Sequence, residues 1–228
     1  MMLAFLLLFG VQKPVDGFEA HTFKNMPYRL FTPGGYDRTH QYPLIIWLHG
    51  SGSIGTDNFK QISGASLRGT HTWTAALVQA AHPAFVLAPQ LRKGSWFSEM
   101  SLVLELLDSL EGELSIDTSR IYVTGQSLGG FGTWDYIAAK PGLFAAAIPL
   151  CGGGQISSAS AIAKIPIWAF HGAADRSVPV TETRTMIAAV KQAGGNPRYT
   201  EYPGVGHEVW LRAFQETGLV EWLFAQHK

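Results

Sequence analysis

Short apolar runs alternate with amphipathic segments along most of the chain. The runs are rich in β-branched and aromatic residues and show no polar alternation, which is typical of strands buried on both faces. The clearest are Pro-Leu-Ile-Ile-Trp-Leu at 43–48 and Ile-Tyr-Val-Thr at 121–124, with a leucine-rich amphipathic segment at 98–113 between them. Buried strands that alternate with helices predict an α/β fold, a mostly parallel sheet with helices on both faces. The other predicted strands are 84–89, 144–150, 165–170 and 198–202, and the other predicted helices are 71–81, 181–193 and 209–226.

The first part of the chain has a different pattern. Residues 18–23 and 28–32 look like two short strands around Asn25-Met26-Pro27, which predicts an antiparallel hairpin. The 228 residues are enough for one substantial core and too few for two typical domains with a linker. We therefore expect residues 18–228 to form a single domain.

Residues 1–9, Met-Met-Leu-Ala-Phe-Leu-Leu-Leu-Phe, form an apolar run that stops at Gly10. The run is too short to span a membrane as a helix and is similar to the apolar region of a secretory signal peptide. It lacks the basic start and the Ala-x-Ala site of such a signal, so an apolar N-terminal arm is the alternative. We expect residues 1–17 to be a signal-peptide remnant of a secreted or periplasmic protein, with a cytoplasmic location as the alternative.

Charge is low and balanced, with 17 basic and 17 acidic residues. This balance argues against nucleic acid as a partner. Cys151 is the only cysteine, which excludes an intramolecular disulfide and a cysteine-based zinc site. Histidines and acidic residues are scattered, without a closely spaced ligand pair, so we expect no metal. The oligomeric state stays open.

The strand at 121–124 runs directly into Gly125-Gln126-Ser127-Leu128-Gly129, a Gly-x-Ser-x-Gly motif, and apolar residues at helical spacing follow. Strand, tight turn and helix form the context of a nucleophile elbow, in which a strained turn holds the serine hydroxyl clear of the sheet. The two glycines leave room where strand and helix crowd each other. The motif predicts Ser127 as a nucleophile; a plain turn between strand and helix is the alternative.

A serine nucleophile needs a base, and the base needs an acid that orients it. Asp175 follows the strand at 165–170, at the sheet edge where an active site forms. Asp135 lies inside the helix after Ser127, and Glu182 suits the start of a helix. We therefore predict Asp175 as the acid.

Three histidines follow the nucleophile in the sequence, His171, His207 and His227. His227 lies at the C-terminal tail, and His171 is interpreted as a structural support for the loop that carries the acid. His207 lies in the loop between the last strand and the last helix, and it completes the order serine, acid, histidine. We predict His207 as the base.

Acyl transfer also needs backbone N–H groups that stabilise the developing oxyanion. Leu128, the residue after the nucleophile, should supply one. The loop His49-Gly50-Ser51-Gly52, after the first long strand, should supply the other from Ser51. His49 is interpreted as a hydrogen-bonded support of that loop.

These motifs resemble the phospholipase/carboxylesterase branch of the α/β-hydrolases. More narrowly, they look like bacterial esterases often labelled predicted peptidases, which are related to feruloyl and polyhydroxybutyrate-depolymerase-like esterases. The resemblance covers nearly the whole chain from about residue 28. It implies an α/β-hydrolase fold and a cofactor-free ester hydrolase with Ser127, Asp175 and His207 as its catalytic residues. The motifs are Leu48-His49-Gly50-Ser51-Gly52, Ala88-Pro89-Gln90, Gly94-Ser95-Trp96, Gly125 to Gly130, Cys151 to Gly154, His171 to Asp175, Val178-Pro179 and Pro203 to His207.

Two departures from that family pattern concern substrate preference rather than mechanism. Leu128 stands where methionine is commoner, and Ser53-Ile54 stands where relatives often carry charged residues. We expect a serine carboxylesterase that forms an acyl-enzyme. A serine peptidase of the same fold and a non-catalytic binding protein are the alternatives.

The connections between strands are too short for a lipase lid. We therefore expect an open cleft for short acyl, aryl or sugar esters, as small molecules or polymers. Trp96 and Trp210 are candidate walls of this cleft or core aromatics, and Gln126 is a further candidate substrate contact.

Overall fold

The computed structural model describes residues 15–228. The apolar run at 1–9 lies outside the described residues. The described residues form one eight-stranded sheet in the order β1-β2-β4-β3-β5-β6-β7-β8. The strands are β1 Phe18–Phe23, β2 Met26–Phe31, β3 Tyr42–Leu48, β4 Phe85–Pro89, β5 Ile116–Gln126, β6 Ala146–Leu150, β7 Trp168–Gly172 and β8 Arg198–Tyr202.

Strand β1 pairs antiparallel with β2, and β2 pairs antiparallel with β4. All other neighbours are parallel. The predicted N-terminal hairpin and mostly parallel sheet are confirmed. The described part of the chain has eight α-helices, six between strands and two after β8. They are α1 Leu67–Thr74, α2 Ala76–Ala81, α3 Met100–Glu113, α4 Leu128–Ala139, α5 Ala159–Ile162, α6 Thr181–Gln192, α7 Trp210–Ala213 and α8 Leu219–Phe224.

The apolar runs are buried because each central strand sends alternate side chains into two cores. Along β3, Leu44 and Ile46 pack with helices α3, α4 and α6, whereas Ile45 and Trp47 pack with α1, α7 and α8. Helices therefore cover both faces, as predicted. Within residues 15–228 no helix has both the length and the apolar character needed to cross a bilayer.

Two predicted helices are each divided in two. The segment 71–81 breaks at Ala75, whose ψ of 136° is extended. The tail 209–226 breaks before Gly218, whose φ of 78° is left-handed and ends any continuous helix. In both places the helical spacing of apolar residues continues across the break, which is why the pattern predicted one helix. The strand predicted at 165–170 begins later, at Trp168, because Pro166 cannot donate to the ladder.

Candidate active site

Ser127 lies between the end of β5 and the start of α4, in a strained backbone conformation with φ 55° and ψ −117°. Such a conformation costs on the order of 1–3 kcal/mol for a residue with a side chain. The turn is tight because strand and helix nearly touch. A Cβ on Gly129 would lie 1.8 Å from the Leu48 carbonyl oxygen, and one on Gly125 would lie 2.4 Å from the Gly129 carbonyl oxygen. The motif therefore needs both glycines for the reason that the sequence suggested.

A continuous chain of hydrogen bonds joins Ser127, His207 and Asp175. Ser127 Oγ is 2.9 Å from His207 Nε2, and His207 Nδ1 is 2.7 Å from Asp175 Oδ2. A carboxylate only accepts hydrogen bonds, so Nδ1 carries the proton and the lone pair of Nε2 faces the serine hydroxyl. The structure brings together the three residues that the sequence analysis selected, from loops after β5, β7 and β8.

Asp175 is held as an ionised carboxylate. Its side chain is fully buried, and its Oδ1 accepts the backbone N–H groups of Ser177 and Val178 at 2.8 and 2.9 Å. Burial alone would raise the pKa of Asp175, but the hydrogen bonds from His207, Val178 and Ser177 outweigh it and lower that pKa. The charge that orients His207 is therefore present at neutral pH.

Trp210 supports the imidazole from the side. Its ring meets that of His207 edge-on, with centroids 5.6 Å apart and planes at 87°. Only 5% of Trp210 is exposed. It therefore acts as a packing surface for His207 more than as an open wall of the cleft.

Trp96, the other candidate wall, is fully buried and is a core aromatic. Its Nε1–H donates to the His49 carbonyl at 2.9 Å, and its ring lies edge-on to the His49 ring. His49 in turn donates from Nδ1 to the Gly50 carbonyl and accepts the Leu91 N–H at Nε2. Burial lowers the pKa of His49 to about 4. The sequence interpretation of His49 as a loop support agrees with these contacts, and the exposed aromatic beside Trp96 is Phe97.

The two predicted oxyanion donors lie on the loops that flank the nucleophile. Leu128 begins α4, so its N–H has no acceptor within the helix. Ser51 is exposed and opens a 3₁₀ turn, Ser51–Ser53, shortly after β3, which pairs with β5 beside the elbow. Gln126 is buried and packs against Gly50, and its Oε1 has no hydrogen-bond partner within residues 15–228. At 2% exposed, it offers little surface that a substrate could touch.

Cys151, at the end of β6, joins the site without having been selected from the sequence. A Cys151, an Asp175 and a His207 ligand atom all lie within 4.8 Å of one another. Burial raises the pKa of the Cys151 thiol well above its usual value, so it stays protonated. Asp175 was selected because it follows the end of a strand. Cys151 has the same kind of position, so this signal could also have identified it.

Comparison with known proteins places the chain in a family. The model of the dienelactone hydrolase family matches residues 91–216, more than half of the chain, including Ser127, Asp175 and His207. The chain belongs to the dienelactone hydrolase family. This agrees with the α/β-hydrolase resemblance seen in the motifs.

Esterases are among the relatives of this dienelactone hydrolase family member. "Probable feruloyl esterase C" of Aspergillus terreus is 29% identical over 67% of this chain and 56% of its own length. Feruloyl esterase C of Emericella nidulans is 24% identical over 94% of this chain and 88% of its own length. A crystal structure of a thermostable esterase is 40% identical, with a TM-score of 0.89, over 93% of this chain and 64% of that one. The chain thus spans less than two thirds of the first and the third of these proteins.

Proposed function

We propose that this protein is a carboxylic ester hydrolase in which Ser127 is the nucleophile, His207 the general base and Asp175 the acid that orients the base. One observation carries the proposal: the hydrogen-bond chain Ser127 Oγ, His207 Nε2, His207 Nδ1, Asp175 Oδ2, with distances of 2.9 and 2.7 Å. Family membership and the esterase relatives support the same class of reaction.

Acylation begins when Ser127 Oγ attacks the ester carbonyl carbon and its proton moves to His207 Nε2. The resulting imidazolium is stabilised by the Asp175 carboxylate. The tetrahedral intermediate collapses, the bond to the leaving alcohol breaks, and the alcohol oxygen takes the proton from Nε2. An acyl-enzyme on Ser127 remains.

Deacylation repeats these steps with water. Water gives its proton to His207 Nε2 as its oxygen attacks the acyl carbon, and Ser127 Oγ recovers that proton as it leaves. We assign the N–H groups of Leu128 and Ser51 to the oxyanion in both halves. Because the Cys151 thiol stays protonated, it adds no negative charge that would compete with Asp175 for His207.

The substrates that fit this site are short-chain, aryl or sugar esters, either small or part of a polymer. Ser127 is half-buried, and the connections after β3 and β6 contain short helical segments such as Ser51–Ser53 and α5.

The apolar run at 1–9 supports export of the protein. Cell fractionation that finds the protein only in the cytoplasm would contradict this.

Parallel assays with matched ester and amide substrates test the function. Purified protein should hydrolyse p-nitrophenyl acetate and not the corresponding anilide, because an amide needs protonation of a poorer leaving group. Ser127→Ala should lower ester turnover by roughly three or more orders of magnitude, because triad residues act as a unit. Faster cleavage of the amide would indicate the peptidase alternative, and near-normal ester turnover in Ser127→Ala would contradict the nucleophile.

A further inference from the structure

A second histidine contacts the same carboxylate oxygen as His207. His171 lies near the end of β7, four residues before Asp175, and both side chains are fully buried. Its Nε2 is 3.3 Å from Asp175 Oδ2 and 3.0 Å from the Val178 carbonyl oxygen. One imidazole therefore approaches Oδ2 from strand β7 and the other from the loop after β8.

The proton on His171 can be placed by counting donors. The Val178 carbonyl only accepts, so Nε2 carries a proton, and that proton also faces Asp175. On the other side, Nδ1 is 2.8 Å from Thr183 Oγ1, which is 2.7 Å from the Gly152 carbonyl. The single hydroxyl proton of Thr183 can go to only one of them. If it goes to Nδ1, His171 is neutral; if it goes to Gly152, Nδ1 must also carry a proton and His171 is a cation.

Burial of the ring opposes a charge on it and lowers the pKa of His171, a shift that contacts with Val178 and Asp175 only partly oppose. The other charged group facing the ring is Glu201, opposite it on β8, and Arg184 of α6 binds both oxygens of that carboxylate. In either form of His171, Nε2 carries a proton that faces Val178 and Asp175, and Thr183 holds the ring at Nδ1.

We propose that His171 is a positioning residue for the reaction, a donor that fixes Asp175 Oδ2 against His207, with Thr183 holding its ring at Nδ1. A donor suits this place because it orients the carboxylate that the His207 imidazolium needs. Without it, Oδ2 keeps one side-chain donor and can turn away from His207. The inference rests on the proposed roles of Asp175 and His207.

Two variants of His171 with similar volume separate the hydrogen bond from packing. His171→Gln keeps an N–H donor near the position of Nε2, whereas His171→Met fills the space without one. On p-nitrophenyl acetate, we expect His171→Met to lose about 10²-fold in kcat, the scale of a misplaced catalytic group, with KM within about twofold. The kcat of His171→Gln should be at least about tenfold higher than that of His171→Met. Thermal unfolding followed by circular dichroism reports whether each variant is folded.

Thr183 gives an independent test if His171→Met fails to fold. Thr183→Val removes the hydroxyl at nearly constant shape and should lower kcat about tenfold, whereas Thr183→Ser should stay near the parent. Parental kcat in folded His171→Met, equal activity of the Gln and Met variants, or equal activity of the Val and Ser variants would overturn the proposal. Ser127→Ala, assayed alongside, identifies failure of the proposed function itself: if it is active, the catalytic assignment is wrong, and if it is inactive, only the role of His171 is at issue.

Discussion

At the scale of single residues, the site contains a serine in a strained backbone conformation and a buried carboxylate that several hydrogen bonds hold in place. Ser127 keeps a positive φ because β5, α4 and the Leu48 carbonyl leave the turn no other space. Asp175 is buried, yet two backbone N–H groups and His207 keep it ionised. Each is unfavourable for folding by itself, and the proposed mechanism uses both.

Replacement of Asp175 should therefore strongly lower the activity. Asp175→Asn keeps the shape but offers His207 Nδ1 an amide, and the wrong tautomer should cost about three to four decades in kcat. Asp135→Asn is the matched control, since Asp135 lies on α4 away from this chain of hydrogen bonds. Steady-state kinetics on p-nitrophenyl acetate measure both. If Asp135→Asn were the more damaging change, Asp175 would not be the acid.

The sequence allowed prediction of those residues whose position along the chain is informative. Ser127, Asp175 and His207 each follow a strand, and strand ends meet at one sheet edge. Thr183 was not found, because its place beside His171 depends on how α6 packs on the sheet. Trp96 and Gln126 were predicted as candidate substrate contacts because they lie next to loops of the site. Chain position alone does not show which way a side chain faces, and both side chains are buried.

At the scale of elements, the loops after β3 and β4 are joined through His49. It accepts a hydrogen bond from Leu91 and donates one to Gly50, next to the proposed oxyanion donor Ser51. The strands could be predicted because a strand that is buried on both faces appears in the sequence as a continuous run of apolar residues. The division of α1 from α2 and of α7 from α8 was not, because apolar spacing continues across both breaks.

His49 should make stability depend on pH. Its folded pKa is about 4, below the usual value near 6.5, so the unfolded chain binds more protons between these values. Its contribution is fully present above about pH 6.5 and is lost as the pH falls towards 4, up to about 3 kcal/mol. Denaturant unfolding at pH 7 and pH 4.5 measures the loss. His49→Gln keeps an acceptor for the Leu91 N–H but does not titrate, so it should lose less; an equal loss in both proteins would contradict this role.

At the scale of the whole molecule, two apolar cores sandwich the sheet and leave the site open at the strand ends. No described connection supplies a long amphipathic lid; the longest helix is α3, and its buried face packs in the core beneath the sheet. The mostly parallel sheet and its hairpin followed from the sequence pattern, whereas the exposure of Phe97 beside the buried Trp96 required the packed structure.

An open site has little apolar surface for a long acyl chain, where each buried methylene would add about 0.8 kcal/mol. Rates on p-nitrophenyl esters should therefore peak at acyl chains of roughly two to four carbons, beyond which that gain stops. We expect no jump in rate above the solubility limit of the substrate. An optimum at long chains, or such a jump, would indicate a lidded lipase-like site instead.

The central claim is that Ser127 is an activated nucleophile, and a fluorophosphonate probe tests it most directly. Intact-mass spectrometry should show one adduct on the folded protein, peptide mapping should locate it on Ser127, and the Ser127→Ala and His207→Gln proteins should remain unlabelled. Folded protein that resists the probe, or that carries the adduct at another residue, would contradict the account.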